Sequence, residues 1–157
     1  MTVDSSPNQL APEDLAAWLN ERFDGTLMGH MGIRMMEVGP KRAIAEMEVH
    51  FGVKTMTGHV HAGDMISLAD TAATFAAVAS IQGSYLELER FPVAIGLSSQ
   101  IVSNTQEGTI RAESTVVHGG RTLIVVETRV TSSEGRLLAI VNSTHFVRNS
   151  APKDGAR

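Results

Sequence analysis

A single carboxylate stands in the longest apolar run of this chain. Asp70 is the only formal charge between Met65 and Ile81, in Gly63-Asp-Met-Ile-Ser-Leu-Ala-Asp-Thr-Ala-Ala-Thr-Phe-Ala-Ala-Val-Ala-Ser-Ile81. Carrying a carboxylate into apolar surroundings is costly unless something binds it. Asp70 is therefore either a satisfied structural group or a chemical one. As chemistry it offers two roles. It can act as a general base on water, or it can attack an acyl carbon and form a mixed anhydride. Burial would raise its pKa, and hydrogen bonds from Thr71, Thr74 or a second chain would lower it.

Further polar groups gather just upstream, in Gly58-His-Val-His-Ala-Gly63. The helix that carries Asp70 is expected to begin near Ala62 and Gly63. Its first backbone N–H groups have no partners within the helix and lie at the positive end of the macrodipole. The N–H of Ala62 or Gly63 can thus bind a developing oxyanion. His61 can bond near a reacting carbonyl or brace the turn, and bracing is favoured, because a His before a helix often satisfies local backbone groups. His59 could line the same cleft. Two His at this spacing could suggest a metal, but no third ligand lies at a helpful distance, so no metal site is expected. Thr74 lies one helical turn beyond Asp70 on the same face. It either contacts the reacting group or bonds back to its own helix.

Asp70 lies eight residues beyond Ala62, about 12 Å along a helix axis. One carbonyl cannot touch both within a single helix. If both act, they come from two chains whose helices run antiparallel across a two-fold axis.

The surrounding elements are legible from periodicity. Pro12–Phe23 reads as a helix, with Pro12 at its first position, Glu13 and Asp14 at its positive end, and Leu15, Trp18, Leu19 and Phe23 at helical spacing. Gly25 is a plausible stop. Strands are expected at Gly32–Val38 and Arg42–His50 around the turn Gly39-Pro-Lys41. In the second, Ala43, Ala45, Met47 and Val49 alternate with Ile44, Glu46 and Glu48, which marks one face on a core. Phe51–Gly63 reads as loop, and the apolar helix runs to about Gln82. Strands are expected near Val93–Val102, Gly108–His118, Arg121–Ser132 and Arg136–Val147, with hairpin turns at Gly119-Gly120 and Ser133-Glu-Gly135. A helix apolar on most sides needs a sheet curved around it, and a second subunit to finish the covering.

The chain has 157 residues, 43% hydrophobic and 19% charged, which suits one domain. Residues 1–11 and 149–157 read as polar tails around a single domain at 12–148. The net charge of −4 offers no basic surface to nucleic acid. The absence of cysteine removes disulfides, thiolate catalysis and Cys-ligated metals, and fits a cytoplasmic protein. The first residues lack a basic start and an apolar core, so no secretory signal is expected. The apolar helix is interrupted by Asp70 and marginal in length, so no membrane span is expected.

The stretch Gly58–Thr74, with Leu68-Ala-Asp-Thr-Ala72 as its helix core, resembles the hotdog-fold acyl-CoA thioesterases, in particular the PaaI-like and 4-hydroxybenzoyl-CoA branch. His61-Ala62-Gly63 stands where those proteins carry a His-Gly-Gly turn. Asp70 falls nine positions after the His, where they carry an acidic residue. Gly120-Arg-Thr-Leu-Ile-Val-Val-Glu-Thr-Arg-Val130 and Gly135-Arg-Leu-Leu-Ala-Ile-Val-Asn-Ser-Thr-His-Phe-Val147 are similar to the family's last two strands. The resemblance runs from about Gly25 to Val147.

The resemblance implies an α+β hotdog fold: a curved antiparallel sheet wrapped around one long central helix, with an N-terminal helix beside it. It implies hydrolysis of an acyl-CoA thioester, aryl or short to medium chain, to the free acid and CoA. The carboxylate and the oxyanion-binding amide would come from opposite subunits of a homodimer, with dimers paired into a homotetramer. No cofactor is implied beyond the CoA of the substrate. A cationic rim for the CoA phosphates is expected, with Arg90, Arg121 and Arg148 as candidates. Relatives also place a hydroxyl at the position of Thr74, and sometimes on the strand after the helix, which here suggests Ser98 or, above it, Ser99. Two departures stand out. Ala62 replaces the first Gly of the turn, which is harmless provided its φ is not positive. Thr55 stands six residues before the His, where relatives carry Asn or Gln. A hydroxyl there can act through a water, and weight shifts to Thr55, Thr57 and His59. Alternative functions are a non-catalytic acyl-CoA-binding module and a hotdog dehydratase or hydratase. The last needs an acid–His pair on one substrate carbon, and Asp70 has no such His within its helix.

Overall fold

The computed structural model describes residues 10–81 and 90–148. The expected tails lie outside the described residues except for Leu10 and Ala11, as does the expected helix end at Gln82. The first helix, α1 (Pro12–Asn20), opens with Pro at its start and Glu13 and Asp14 in its first turn, as expected. It stops at Asn20 rather than Phe23. The Asn20 side chain then acts as a strand partner. Its Nδ2 donates to Met35 O at 2.8 Å, and its Oδ1 accepts the Met35 N–H at 2.7 Å. Phe23 is buried all the same, its ring centroid 5.9 Å from that of Phe75. A second helix, α2 (Leu27–Met31), replaces what reads as connecting chain. Thr26 caps its start and Gly32, at φ 71°, closes it. Five residues are too few to show a helical period, and Gly29 within it argues against helix. Gly29 is there for space: a Cβ would strike the carbonyl of Phe23.

Six strands form one antiparallel sheet: β1 (Ile33–Gly39), β2 (Arg42–Glu48), β3 (Val93–Ile101), β4 (Thr109–Gly119), β5 (Leu123–Ser132) and β6 (Leu137–Phe146), in the order β1-β2-β4-β5-β6-β3. The turn between β1 and β2 uses Lys41 at φ 66°. In β2, Ala43, Ala45 and Met47 face the core as their alternation predicts. Ile44, expected on the solvent side, is buried too. It stands in register between Glu37 and Glu113. Arg42 pairs with both carboxylates, at 2.8 Å and 3.0 Å.

The long helix α3 (Ala62–Ser80) lies across the inner face of the sheet. Ala69, Ala72, Ala73, Ala76, Ala77 and Ala79 are all buried, and their small side chains let the strands approach closely. Burial is not uniform around it. Ile66, Ser67, Asp70, Thr71 and Thr74 stay half-exposed, and their spacing places them on one face. The edge strand β3 is open as well. Val93, Ile95, Leu97 and Ile101 are all exposed. No described helix is long and apolar enough to cross a membrane. In the core, Ser114 and Thr128 share a hydrogen bond of 2.7 Å. His145 is wholly buried, with Nε2 3.0 Å from Ser143 Oγ and Nδ1 unpartnered. Burial lowers its pKa.

Candidate active site

α3 begins with a cap built from side chain and backbone together. His61 is the N-cap residue, extended at φ −67° and ψ 135°, and its Nδ1 accepts the Gly63 N–H at 2.9 Å. A neutral imidazole that accepts at Nδ1 carries its proton on Nε2. Gly63 is Gly because a Cβ there would lie 3.0 Å from that ring nitrogen. The His61 carbonyl accepts the N–H groups of Asp64 and Met65. The His61–Gly63 bond braces the turn at the start of the helix. It also settles which amide is free. The Gly63 N–H is committed, while the Ala62 N–H takes no hydrogen bond among the described residues. Lys41 is the only described non-glycine residue at positive φ, so Ala62 fits its position without strain. In the same first turn, burial pushes the Asp64 carboxyl up against the opposing pull of His61 and His50.

Asp70 is half-buried on the open face of α3. Its Oδ1 is fully buried and has no hydrogen-bond partner among the described residues, and burial raises its pKa. Thr71, expected as a possible donor to it, instead donates to Ser67 O at 2.8 Å. Ser67 and Ser80 make the same bond one turn back. Thr74 makes none among the described residues, so its hydroxyl is unspent on the face that carries Asp70. Ser99 points to the inner side of the sheet, since its neighbour in register is the buried Val141. Ser98 falls on the opposite side.

Thr55 lies in the loop before α3 and bonds within it, to Thr57. His59 lines a polar cavity of about 640 Å³ with Asn104, Gln106, Glu107, Glu134 and Arg136. Arg90 and Arg121 lie at one cavity, of about 370 Å³, at the C-terminal end of α3, with Ser80, Ile81, Ile124 and Val147. Arg148 follows that lining in the chain but is not part of it. Sequence reasoning missed Asn104. Its Nδ2 donates to Val60 O at 2.9 Å and its own carbonyl accepts from Arg136 at 2.8 Å, which ties the segment after β3 to the start of α3. The polar run Ser103-Asn104-Thr105 signals a turn but not this reach. Among the described residues no group of three His, Cys, Asp or Glu could hold a metal.

The free amide at Ala62 and the orphaned oxygen of Asp70 are separated by about 12 Å of helix. Each has the chemistry that thioester hydrolysis needs: a donor for an oxyanion, and a base kept apart from other donors.

Comparison with known proteins gives the same direction. Residues 57–139 match the model of the thioesterase superfamily. The chain is 26% identical over 118 residues to the 1,4-dihydroxy-2-naphthoyl-CoA hydrolase of Listeria monocytogenes, covering 75% of this chain and 92% of that one. Its fold superposes on thioesterase HI1161 of Haemophilus influenzae with TM-score 0.79 and 20% identity, over 88% of this chain and 94% of that one. It superposes on the E. coli PaaI protein of the phenylacetic acid degradation operon with TM-score 0.72 and 19% identity, over 87% and 96%. The sheet wrapped on one long helix is the expected α+β hotdog fold, and the chain belongs to the thioesterase superfamily, as a thioester hydrolase.

Proposed function

We propose that the protein hydrolyses an acyl-CoA thioester as a homodimer, with Asp70 of one protomer facing the helix start of its partner. The observation that carries this is the pairing of unmet needs: a buried carboxylate oxygen without a partner on the open stripe of α3, and an amide without a partner at the tip of the same helix. Antiparallel packing of two such stripes brings each to the other. The exposed edge of β3, with Leu97 and Ile101 on its inner side, offers the surface that continues that contact.

In this reading Asp70 draws a proton from water as the water attacks the thioester carbon. The Ala62 N–H, at the positive end of α3, takes the negative charge that develops on the carbonyl oxygen. The tetrahedral intermediate then collapses, the C–S bond breaks, and CoA leaves as the thiolate and takes up a proton. A carboxyl whose pKa is raised by burial is a stronger base when ionised, which suits the general-base role. Thr74 lies one turn away to hold the water. His61 keeps the helix tip in place, and Gly63 makes room for it. Arg90 and Arg121 take the CoA phosphates, with Arg148 extending the rim. Their cavity lies at the C-terminal end of α3, ten residues or about 15 Å beyond Asp70. In an antiparallel pair it lies toward the partner's helix start. The acyl group is aryl or of short to medium length. Dimers pair further into a tetramer.

A panel of aryl, short-chain and medium-chain acyl-CoA esters, read by thiol release, tests the reaction. Turnover of at least one class is expected. Tight binding of a non-hydrolysable analogue with no turnover of any ester would replace this reading with an acyl-CoA-binding module. Mixing Asp70→Asn chains with Ala62→Pro chains tests the shared site. Each variant alone is inactive and the mixture recovers part of the rate. No recovery would count against a site shared between protomers.

A further inference from the structure

The free amide at Ala62 follows directly on a stretch of backbone that is clamped. A peptide unit is planar and nearly always trans, so its carbonyl and its N–H point in opposite directions. Bonded at both, it is held; bonded at one, it can swing. The unit between Val60 and His61 is bonded at both. Its N–H donates to Val53 O at 2.9 Å, and its carbonyl accepts from Asn104 Nδ2 at 2.9 Å. The unit before it, between His59 and Val60, is held in the same way. Its carbonyl accepts the Thr55 N–H at 2.7 Å, and its N–H donates to Thr105 O at 3.0 Å. Three of these four bonds join backbone to backbone, and the fourth comes from the Asn104 side chain. The next unit, His61 to Ala62, carries the N–H that takes no hydrogen bond among the described residues. A single Cα, that of His61, joins it to the clamped unit, with φ −67° and ψ 135°.

Asn104 can hold that unit because it is itself fastened to the sheet. Its Oδ1 accepts the Thr105 N–H at 2.7 Å. Val60 offers a carbonyl and Thr105 an N–H, so the side-chain amide can face only one way. The Asn104 carbonyl accepts from Arg136 Nη2 at 2.8 Å, beside the turn between β5 and β6. Just before it, the N–H groups of Val102 and Ser103 both donate to Leu138 O in β6, at 2.8 Å and 3.2 Å. We propose that Asn104 is a positioning residue for the hydrolysis: through the Val60–His61 peptide unit it carries the rigidity of the sheet to the Ala62 N–H, so that this amide is already aimed when the oxyanion forms. None of these bonds lies within α3, whose first turn closes on the His61 carbonyl with the N–H groups of Asp64 and Met65. What they set is the direction from which the chain enters the helix, and an oxyanion donor works by being preorganised. Val60 is wholly buried, so the clamp sits out of solvent. The inference rests on the assignment of the Ala62 N–H to the oxyanion.

Backbone ¹⁵N relaxation reads this without substrate. The Ala62 amide is expected to have an order parameter of about 0.85 in the parent, the value of rigid backbone, and about 0.6 in Asn104→Ala, while Ala72 in mid-helix stays unchanged. An Ala62 amide as rigid in the variant as in the parent would overturn the proposal. In turnover, Asn104→Ala should lower kcat about tenfold, the scale of one lost hydrogen bond. KM should move less than about twofold, because the amide meets its full charge only in the transition state. In an Ala62→Pro background the same substitution should cost less than about twofold, since it acts through an N–H that is already gone. A tenfold loss in both backgrounds, or a raised KM at unchanged kcat, would mean that Asn104 acts elsewhere, and would overturn it. Asn104→Asp keeps the shape and the acceptor for Thr105 but sets an oxygen against the Val60 carbonyl. It should reproduce both effects, and it carries the test if the alanine variant does not fold. Failure of the hydrolysis assignment looks different: Ala62→Pro would then turn over like the parent protein, while the Ala62 amide still loosens in Asn104→Ala.

Discussion

The molecule contains the same local motif twice. His50-Phe51-Gly52 and His61-Ala62-Gly63 both place a His whose Nδ1 accepts the N–H two residues on, at 3.1 Å and 2.9 Å. Both glycines sit close against the ring, where an added Cβ would lie 2.9 Å from one imidazole and 3.0 Å from the other. In both, the middle residue's N–H takes no hydrogen bond among the described residues. The two caps open onto different elements. The first opens a three-residue 3₁₀ turn, and its His50 Nε2 is tied to the carbonyl of Met31 at 3.2 Å. The second opens a 19-residue helix whose open face carries Asp70. The cap is therefore structural chemistry used twice. Only where a long helix adds its dipole, and a carboxylate lies on the exposed stripe, does the free amide become a candidate for catalysis.

The strongest way to break this contrast is to remove the middle N–H from each copy. Proline at the first helical position costs little, and the residue before it must be extended. His61 and His50 both are, at ψ 135° and 173°. Ala62→Pro is expected to lower kcat by about 100-fold or more, the scale of a lost oxyanion donor. Phe51→Pro, on a residue that is 93% exposed, should leave kcat within about twofold. Equal losses in both, measured on the same ester, would mean that the helix start has no special role. Asp70→Asn should cost about as much as Ala62→Pro, roughly 100-fold or more in kcat, while analytical ultracentrifugation shows the parent's oligomeric state. Full activity in that variant would assign the base elsewhere.

The capping rings come next in size. His61→Ala should lower kcat/KM by about tenfold, because the helix tip loses the bond that fixes it. His50→Ala should leave the kinetics alone and lower stability by about 1–2 kcal/mol, from a lost cap and a lost bond to α2. Denaturant melts and initial rates on both variants decide this. A kinetic loss confined to His50→Ala would invert the comparison.

Why was one copy legible from sequence and the other not? The second precedes a run whose single charge announces itself, and its spacing to Asp70 is a helical count. The first lies in what reads as loop, and a three-residue turn has no period to detect. The same limit hid α2, whose Gly29 argues against helix until the Phe23 carbonyl beside it is seen. Strand alternation gave β2 correctly on its core face, but not the burial of Ile44, which stands between Glu37 and Glu113 of the neighbouring strands. In the site, Asp70 and the helix start were readable because both lie on one element. The commitment of the Gly63 N–H to His61 was not, since it depends on a ring orientation. The shared cavity of Arg90 and Arg121 was not either, since a hairpin and a helix end must fold together to make it. The open stripe on α3 was hidden by its own alanines, whose pattern reads as apolar on every side.

That stripe also predicts a stability effect opposite in sign to the activity effect. Burial raises the folded-state pKa of Asp70 above its unfolded value, so the native state holds the proton more tightly. The native state thus loses stability as pH rises from the ordinary carboxylate range through the folded pKa. Asp70→Asn carries no such charge. In the same chain, burial lowers the pKa of His145, which costs stability as pH falls below about 6.5, the usual value for His. At neutral pH Asp70→Asn should be more stable than the parent by about 1 kcal/mol, because it removes a charge that burial disfavours. The gap should close as pH falls into the carboxylate range. A variant that is less stable at neutral pH would mean the carboxylate is satisfied in the assembled protein.

The finest test asks whether the middle residue matters beyond its N–H. Ala62 is not at positive φ, so glycine has no conformational service to perform there. Ala62→Gly keeps the amide and removes only a methyl group. Its main effect is on the unfolded chain, which gains freedom, for about 0.5–1 kcal/mol of lost stability. The kinetics should stay within about twofold of the parent. A large gain in kcat would show that the alanine methyl obstructs the carbonyl in the Michaelis complex, and the amide would then be reached only by backbone adjustment. An unchanged rate keeps the division drawn between the two caps: at each, the ring and the glycine hold the turn, and the residue between them supplies nothing but its N–H.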